Sequence, residues 1–114
     1  MSRSLTHHCV IAVTTLPGSS RADVRIIGDV DTAAAPALTD AVRRLSEGSP
    51  RSVFIDLAGV TNEGPELTDF LIQAHDRLPR SSSLVVCRPG PMTRLMLAAA
   101  DMMRTITVCH GMLG

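Results

Sequence analysis

Short runs rich in β-branched residues alternate along this chain with segments whose apolar residues return every three or four positions, and turn-forming Gly and Pro punctuate the boundaries. Val10–Thr15 and Val24–Ile27 read as two strands, the second ended by Gly28. The short Leu16–Ser20 turn between them predicts an antiparallel hairpin. Leu38, Ala41, Val42 and Leu45 then recur at helical spacing. Asp31 or Thr32 can cap this first helix, Pro36 fits its first turn, and Gly48 is placed to terminate it. Ser52–Leu57 is a nearly continuous apolar run, which predicts a strand covered on both faces.

A loop from Ala58 to Gly64 is expected next. Pro65 and Glu66 suit the first turn of a second helix, with Leu67, Phe70, Leu71, Ala74 and Leu78 as its buried stripe and Pro79 as its stop. Leu84–Cys87 predicts a further strand, followed by the turn Arg88–Gly90. Pro91 opens a third helix whose apolar side is read as Met92, Leu95, Met96 and Ala99, and Thr105–Val108 forms a last strand. The order is ββαβαβαβ. Helices between strands imply parallel pairing through right-handed crossovers, so the expected fold is an α/β mixed sheet of about five strands, mostly parallel, with three main helices. One domain over residues 9–109 is expected, with residues 1–8 and 110–114 as flexible termini.

Composition narrows the function. With 114 residues the chain can bury one core, and that core must be aliphatic: Trp and Tyr are absent, and Phe54 and Phe70 are the two aromatics. Eleven basic residues balance eleven acidic ones, without the basic cluster that phosphate recognition requires, so no nucleic-acid partner is expected. No apolar run approaches the roughly 20 residues of a membrane span. Met1–Val13 does not read as a secretory signal. The expected location is the cytoplasm, with no membrane partner. Cys9, Cys87 and Cys109 lack metal-site spacing and read as small apolar residues beside strands. Cys87 and Cys109 are the candidate redox pair, if their strands prove to be neighbours. His7 and His8 near the start, His75 on the second helix and His110 after the last strand form no catalytic pattern, and phosphate-loop and nucleophile-elbow motifs are missing. Neither enzymatic activity nor a cofactor or metal is expected.

Three patterns carry a resemblance. Gly28-Asp29-Val30-Asp31 follows a strand; Val53-Phe54-Ile55-Asp56-Leu57-Ala58-Gly59-Val60-Thr61 ends another; and Leu84–Pro89 runs into Thr93-Arg94-Leu95-Met96. In this order the chain resembles the STAS domain of bacterial anti-sigma factor antagonists over about residues 9–109. The resemblance implies binding to an anti-sigma factor or related kinase-like switch protein, and so an influence on sigma-factor-dependent transcription. The surface it implies comprises the Gly28–Asp31 turn, the Gly59–Glu66 loop and the exposed face of the second helix. Its polar contacts would be Asp29, Asp31, Asn62, Glu63, Glu66 and Asp69. Asp56 matches the acidic residue that ends the family's third strand, and the expectation for it is a structural role.

The family's D-S-S-G, whose first serine is phosphorylated, aligns here with Gly64, Pro65, Glu66 and Leu67. Neither serine is present, and proline has no hydroxyl to accept a phosphoryl group. Glu66 either imitates the phosphorylated state in part or marks loss of the switch. Thr61 and Thr68 keep hydroxyls nearby, away from the motif position. A scaffold subunit of a larger stress-signalling assembly is the alternative, and the sequence leaves a homodimer open.

Overall fold

In the computed structural model, which describes residues 9–15 and 18–109, a five-stranded sheet has the spatial order β1-β2-β3-β4-β5. The strands are β1 (Cys9–Thr15), β2 (Arg21–Val30), β3 (Ser52–Glu63), β4 (Ser83–Cys87) and β5 (Thr107–Cys109). The helices are α1 (Ala35–Gly48), α2 (Pro65–Arg77) and α3 (Pro91–Ala99). β1 pairs antiparallel with β2, and every other pair is parallel. The ββαβαβαβ order and the hairpin therefore stand as expected. Leu16, Pro17 and the terminal segments, with His7, His8 and His110, lie outside the described residues.

β-Branched residues build the centre of the sheet because their stiff side chains pack well on a pleated surface. Val24, Ile26, Val53, Ile55 and Val86 are all buried, and Leu38, Ala41, Val42 and Leu45 of α1 and Leu67, Phe70, Leu71 and Ala74 of α2 close over them. The continuous apolar run of β3 is not covered on both faces. Val53, Ile55 and Leu57 are buried while Phe54 and Asp56 are half-buried, so helices cover one face only. On the open face Arg21 reaches over the Phe54 ring at 3.9 Å and pairs with Asp23 at 2.9 Å, which shields part of that ring.

Other boundaries move for identifiable reasons. β2 does not stop at Gly28; that residue takes a φ of 100° and the strand continues to Val30. β3 extends through the expected Ala58–Gly64 loop as far as Glu63, because β2 offers a partner all the way to Val30↔Glu63. Two register shifts, between Arg25 and Ile27 and between Gly28 and Asp29, absorb the extra residues of β3. β5 starts at Thr107, with Ile106 before it buried in the core. The α3 stripe is also corrected: Thr93 and Leu97 are its buried residues, whereas Met92 and Leu95 are 50% and 65% exposed.

At the end of α1, Gly48 is still helical and Ser49 takes the left-handed conformation, φ 46° and ψ 52°. A side chain at such a position crowds the following carbonyl, and glycine removes that cost. Ser49→Gly should therefore stabilise the fold by about 0.5–1 kcal/mol despite greater chain entropy when unfolded. Urea unfolding monitored by circular dichroism would show the gain as a higher midpoint.

Candidate functional site

The C-terminal ends of β2 and β3 meet the beginnings of α1, α2 and α3, and the acidic residues singled out above gather there. The hinge of the arrangement is backbone. Gly64 alone separates β3 from α2, and its N–H donates to the Val30 carbonyl at 2.8 Å. A Cβ on Gly64 would collide with that same carbonyl oxygen and crowd Glu66 Oε1. Pro65 then sits in the first turn of α2, where its missing N–H costs nothing.

The side chains serve two ends, and Asp29, Asp31 and Glu66 serve both. Some hold the frame. Asp31 Oδ1 accepts from the Ala33 N–H at 3.0 Å and caps the short 3₁₀ turn Thr32–Ala34, which leads into α1; α1 itself starts at Ala35, with Ala34 at its N-cap and no side-chain cap. Thr61 Oγ1 donates to Asp29 Oδ1 at 2.6 Å, across the β2–β3 pair. Glu63 points its carboxylate at the start of α3: Oε1 accepts from the Thr93 N–H at 2.8 Å, and both oxygens press on Gly90, where a Cβ would displace them. A carboxylate at that end also meets the favourable end of the helix dipole. Glu66 Oε2 accepts from Thr32 Oγ1 at 3.1 Å, tying the start of α2 to the turn before α1.

Several side chains also face outward. Asn62 and Asp69 are exposed, and Asp29, Asp31 and Glu66 are half-buried with oxygens at the surface. Between α1 and α2 runs a shallow groove of about 100 Å³, with Leu38, Val42 and Phe70 in its floor and Thr39, Glu66, Asp69 and Gln73 on its rim. The geometry thus brings together all six residues marked from sequence, at one end of the sheet, although Glu63 spends its carboxylate on α3. Sequence reading missed the Thr32–Glu66 and Glu63–α3 contacts. The pair Gly90-Pro91 after a turn was the one visible sign that a foreign carboxylate could approach that helix end.

Neighbouring hydroxyls and carboxylates have structural surroundings. Thr68 is buried, with its hydroxyl 3.7 Å from Met96 Sδ between α2 and α3. Asp56 Oδ1 accepts from the Ala58 N–H at 2.9 Å, and its carboxylate lies 3.8 Å from both Arg25 and Arg88, as a structural role requires. His75 is half-buried on α2, with Nδ1 3.2 Å from Asp76 Oδ1. Cys87 is buried, while Cys9 and Cys109 are half-buried, so the small-apolar reading fits Cys87 best. Burial, then Asp31 and Asp29, push the Cys9 thiol upward. Among the described residues, no three His, Cys, Asp or Glu side chains group as metal ligands, and no helix is long and apolar enough to cross a membrane.

A mixed five-stranded sheet with helices on one face, and an acidic rim where two strand ends meet three helix starts, defines a small α/β domain with a surface rather than a deep cleft. The chain belongs to the STAS domain family, whose model matches residues 11–110. It is similar in fold to an anti-sigma factor antagonist from Mycobacterium paratuberculosis, at 23% identity and a TM-score of 0.76, over 96% of this chain and 92% of that one. The anti-sigma factor antagonist SpoIIAA in its unphosphorylated form superposes with a TM-score of 0.73 at 8% identity, over 90% of each chain. The Bacillus cell fate determinant SpoIIAA in its phosphorylated form gives 0.71 at 9% identity, over 89% of this chain and 92% of that one. A search of curated proteins returns no match.

The close approach at Gly64 is open to a direct check. Because the clash of an added methyl is with backbone, relief requires the ends of β2 and β3 to part. Gly64→Ala should cost about 1–3 kcal/mol in stability. Thermal unfolding would measure the loss, and amide exchange should locate the loosening at Val30 and Gly64.

Proposed function

We propose that this STAS domain binds an anti-sigma factor, or a related kinase-like switch protein, and so frees a sigma factor for transcription in the cytoplasm. The reading draws on the family and on the anti-sigma factor antagonists among its structural neighbours. On the chain itself it is carried by one observation: the Thr32–Glu66 hydrogen bond that joins the turn after β2 to the start of α2. That contact makes two separate segments into one continuous surface, with Asn62 and Asp69 exposed beside it. Release of the sigma factor follows by mass action when one anti-sigma surface cannot hold both partners.

The usual phosphorylation switch is absent in this proposal. Pro65 and Glu66 occupy the serine positions, and Glu66 supplies a constant negative charge at the helix start where a phosphate would add nearly two. Its carboxylate already accepts from Thr32, so its charge serves the frame of the surface. A scaffold role in a stress-signalling assembly is the second reading, favoured by the apolar surface of Val10 and Ile27, register neighbours on the open face that are 55% and 42% exposed.

Calorimetric titration against anti-sigma kinases of the native cell tests the proposal. One of them should bind the chain, and Asp69→Lys, a change at an exposed position, should weaken binding about tenfold or more without moving Tm. Incubation of the complex with ATP should leave residues 62–69 free of phosphate. Absence of any such partner, with a large homo-assembly on size-exclusion chromatography, would favour the scaffold instead.

A further inference from the structure

Cys87 and Cys109 end adjacent parallel strands and are direct register partners. Registered residues of a parallel pair lie on the same face of the sheet, and neighbouring strands stand about 4.8 Å apart. That spacing lies within the range of about 4.4–6.8 Å between Cα atoms that a disulfide spans. The two side chains interact electrostatically, Cys109 adding to the upward push on the Cys87 thiol. Both are reduced. Cys9 cannot compete within the same molecule, because it lies on β1 at the opposite edge of the sheet, three strand spacings or roughly 14 Å from Cys87 and four or roughly 19 Å from Cys109.

We propose that Cys87 and Cys109 are a redox site, which a hydroperoxide converts to a reversible disulfide joining the edge strand β5 to β4. Half-buried Cys109 meets the oxidant first. Its thiol gives up a proton, the sulfur attacks the hydroxyl oxygen of the peroxide, a sulfur–oxygen bond forms and the oxygen–oxygen bond breaks, and the departing alkoxide, or hydroxide from hydrogen peroxide, takes up that proton and leaves as an alcohol or water. The Cys87 thiol then gives up its proton and attacks the Cys109 sulfenic acid. The sulfur–oxygen bond breaks, and the hydroxyl leaves with that proton as water. Two thiols lose two electrons in all, and the peroxide gains them. Burial, aided by Cys109 and Asp56, pushes the Cys87 thiol up to about 11, which disfavours it as the group that attacks the peroxide.

The closed ring would enclose the Arg88–Gly90 turn and α3, whose start Glu63 holds. Oxidation therefore acts on the same end of the sheet as the acidic rim, although the site itself needs no partner protein.

The test uses the full chain treated with hydrogen peroxide, then alkylated and mapped by mass spectrometry. The expected result is a monomer lighter by two hydrogens, with Cys87 joined to Cys109 and Cys9 still alkylated, reversed by dithiothreitol. Its Tm should rise by about 5–10 °C. Cys109→Ser should show neither the mass loss nor the Tm shift. Sulfinic or sulfonic acid at Cys109 with Cys87 still alkylated, a bond between two chains, or no reaction would each overturn the proposal.

Discussion

The parallel pairing of β2 with β3 as far as Val30↔Glu63, closed by the Gly64 N–H on the Val30 carbonyl, is the constraint on which the rest of this structure depends. Pairing of that length leaves one residue to connect strand and helix. Gly64 must then lack a side chain, Pro65 must open α2, and Glu66 is delivered to Thr32. Glu63, last residue of β3, is placed to receive the start of α3. Three helix beginnings are thereby referred to one strand end.

The energetics behind this frame are aliphatic. Helices cover a single face of the sheet, where Val24, Ile26, Val53, Ile55 and Val86 meet Leu38, Leu45, Leu67 and Leu71, with Phe70 as the one buried ring among the described residues. Non-directional burial of this kind favours the layered arrangement but does not aim individual side chains. Aim comes from the polar contacts at the strand ends, each worth on the order of 1 kcal/mol but specific in geometry. The open face is managed differently, with Arg21 drawn over Phe54 and Asp56 between two arginines.

Much of the fold was legible because periodicity changes at nearly every boundary, and the acidic rim was legible through the family resemblance. What stayed hidden depended on partners distant in sequence. Ala58–Gly64 reads as a loop because Gly59, Asn62 and Gly64 have weak strand preference, yet pairing with β2 overrides that preference as far as Glu63. α3 offered Met92, Leu95, Met96 and Ala99 as a plausible apolar stripe, but α2 and the sheet take the other side, burying Leu97 and the polar Thr93. Hydrophobicity alone could not choose between the two faces of so short a helix. Likewise the register of Cys87 with Cys109 required β5 to lie at Thr107–Cys109, later than its propensity indicated.

The account stands on one surface, framed by the turn after β2 and the start of α2, being the part of the molecule that another protein contacts. Amide chemical-shift mapping of the labelled chain during titration with an anti-sigma factor that binds it measures this directly. The account predicts that the largest changes fall within residues 29–32 and 62–73. Changes centred instead on Val10, Ile27 and the open face of the sheet would contradict it.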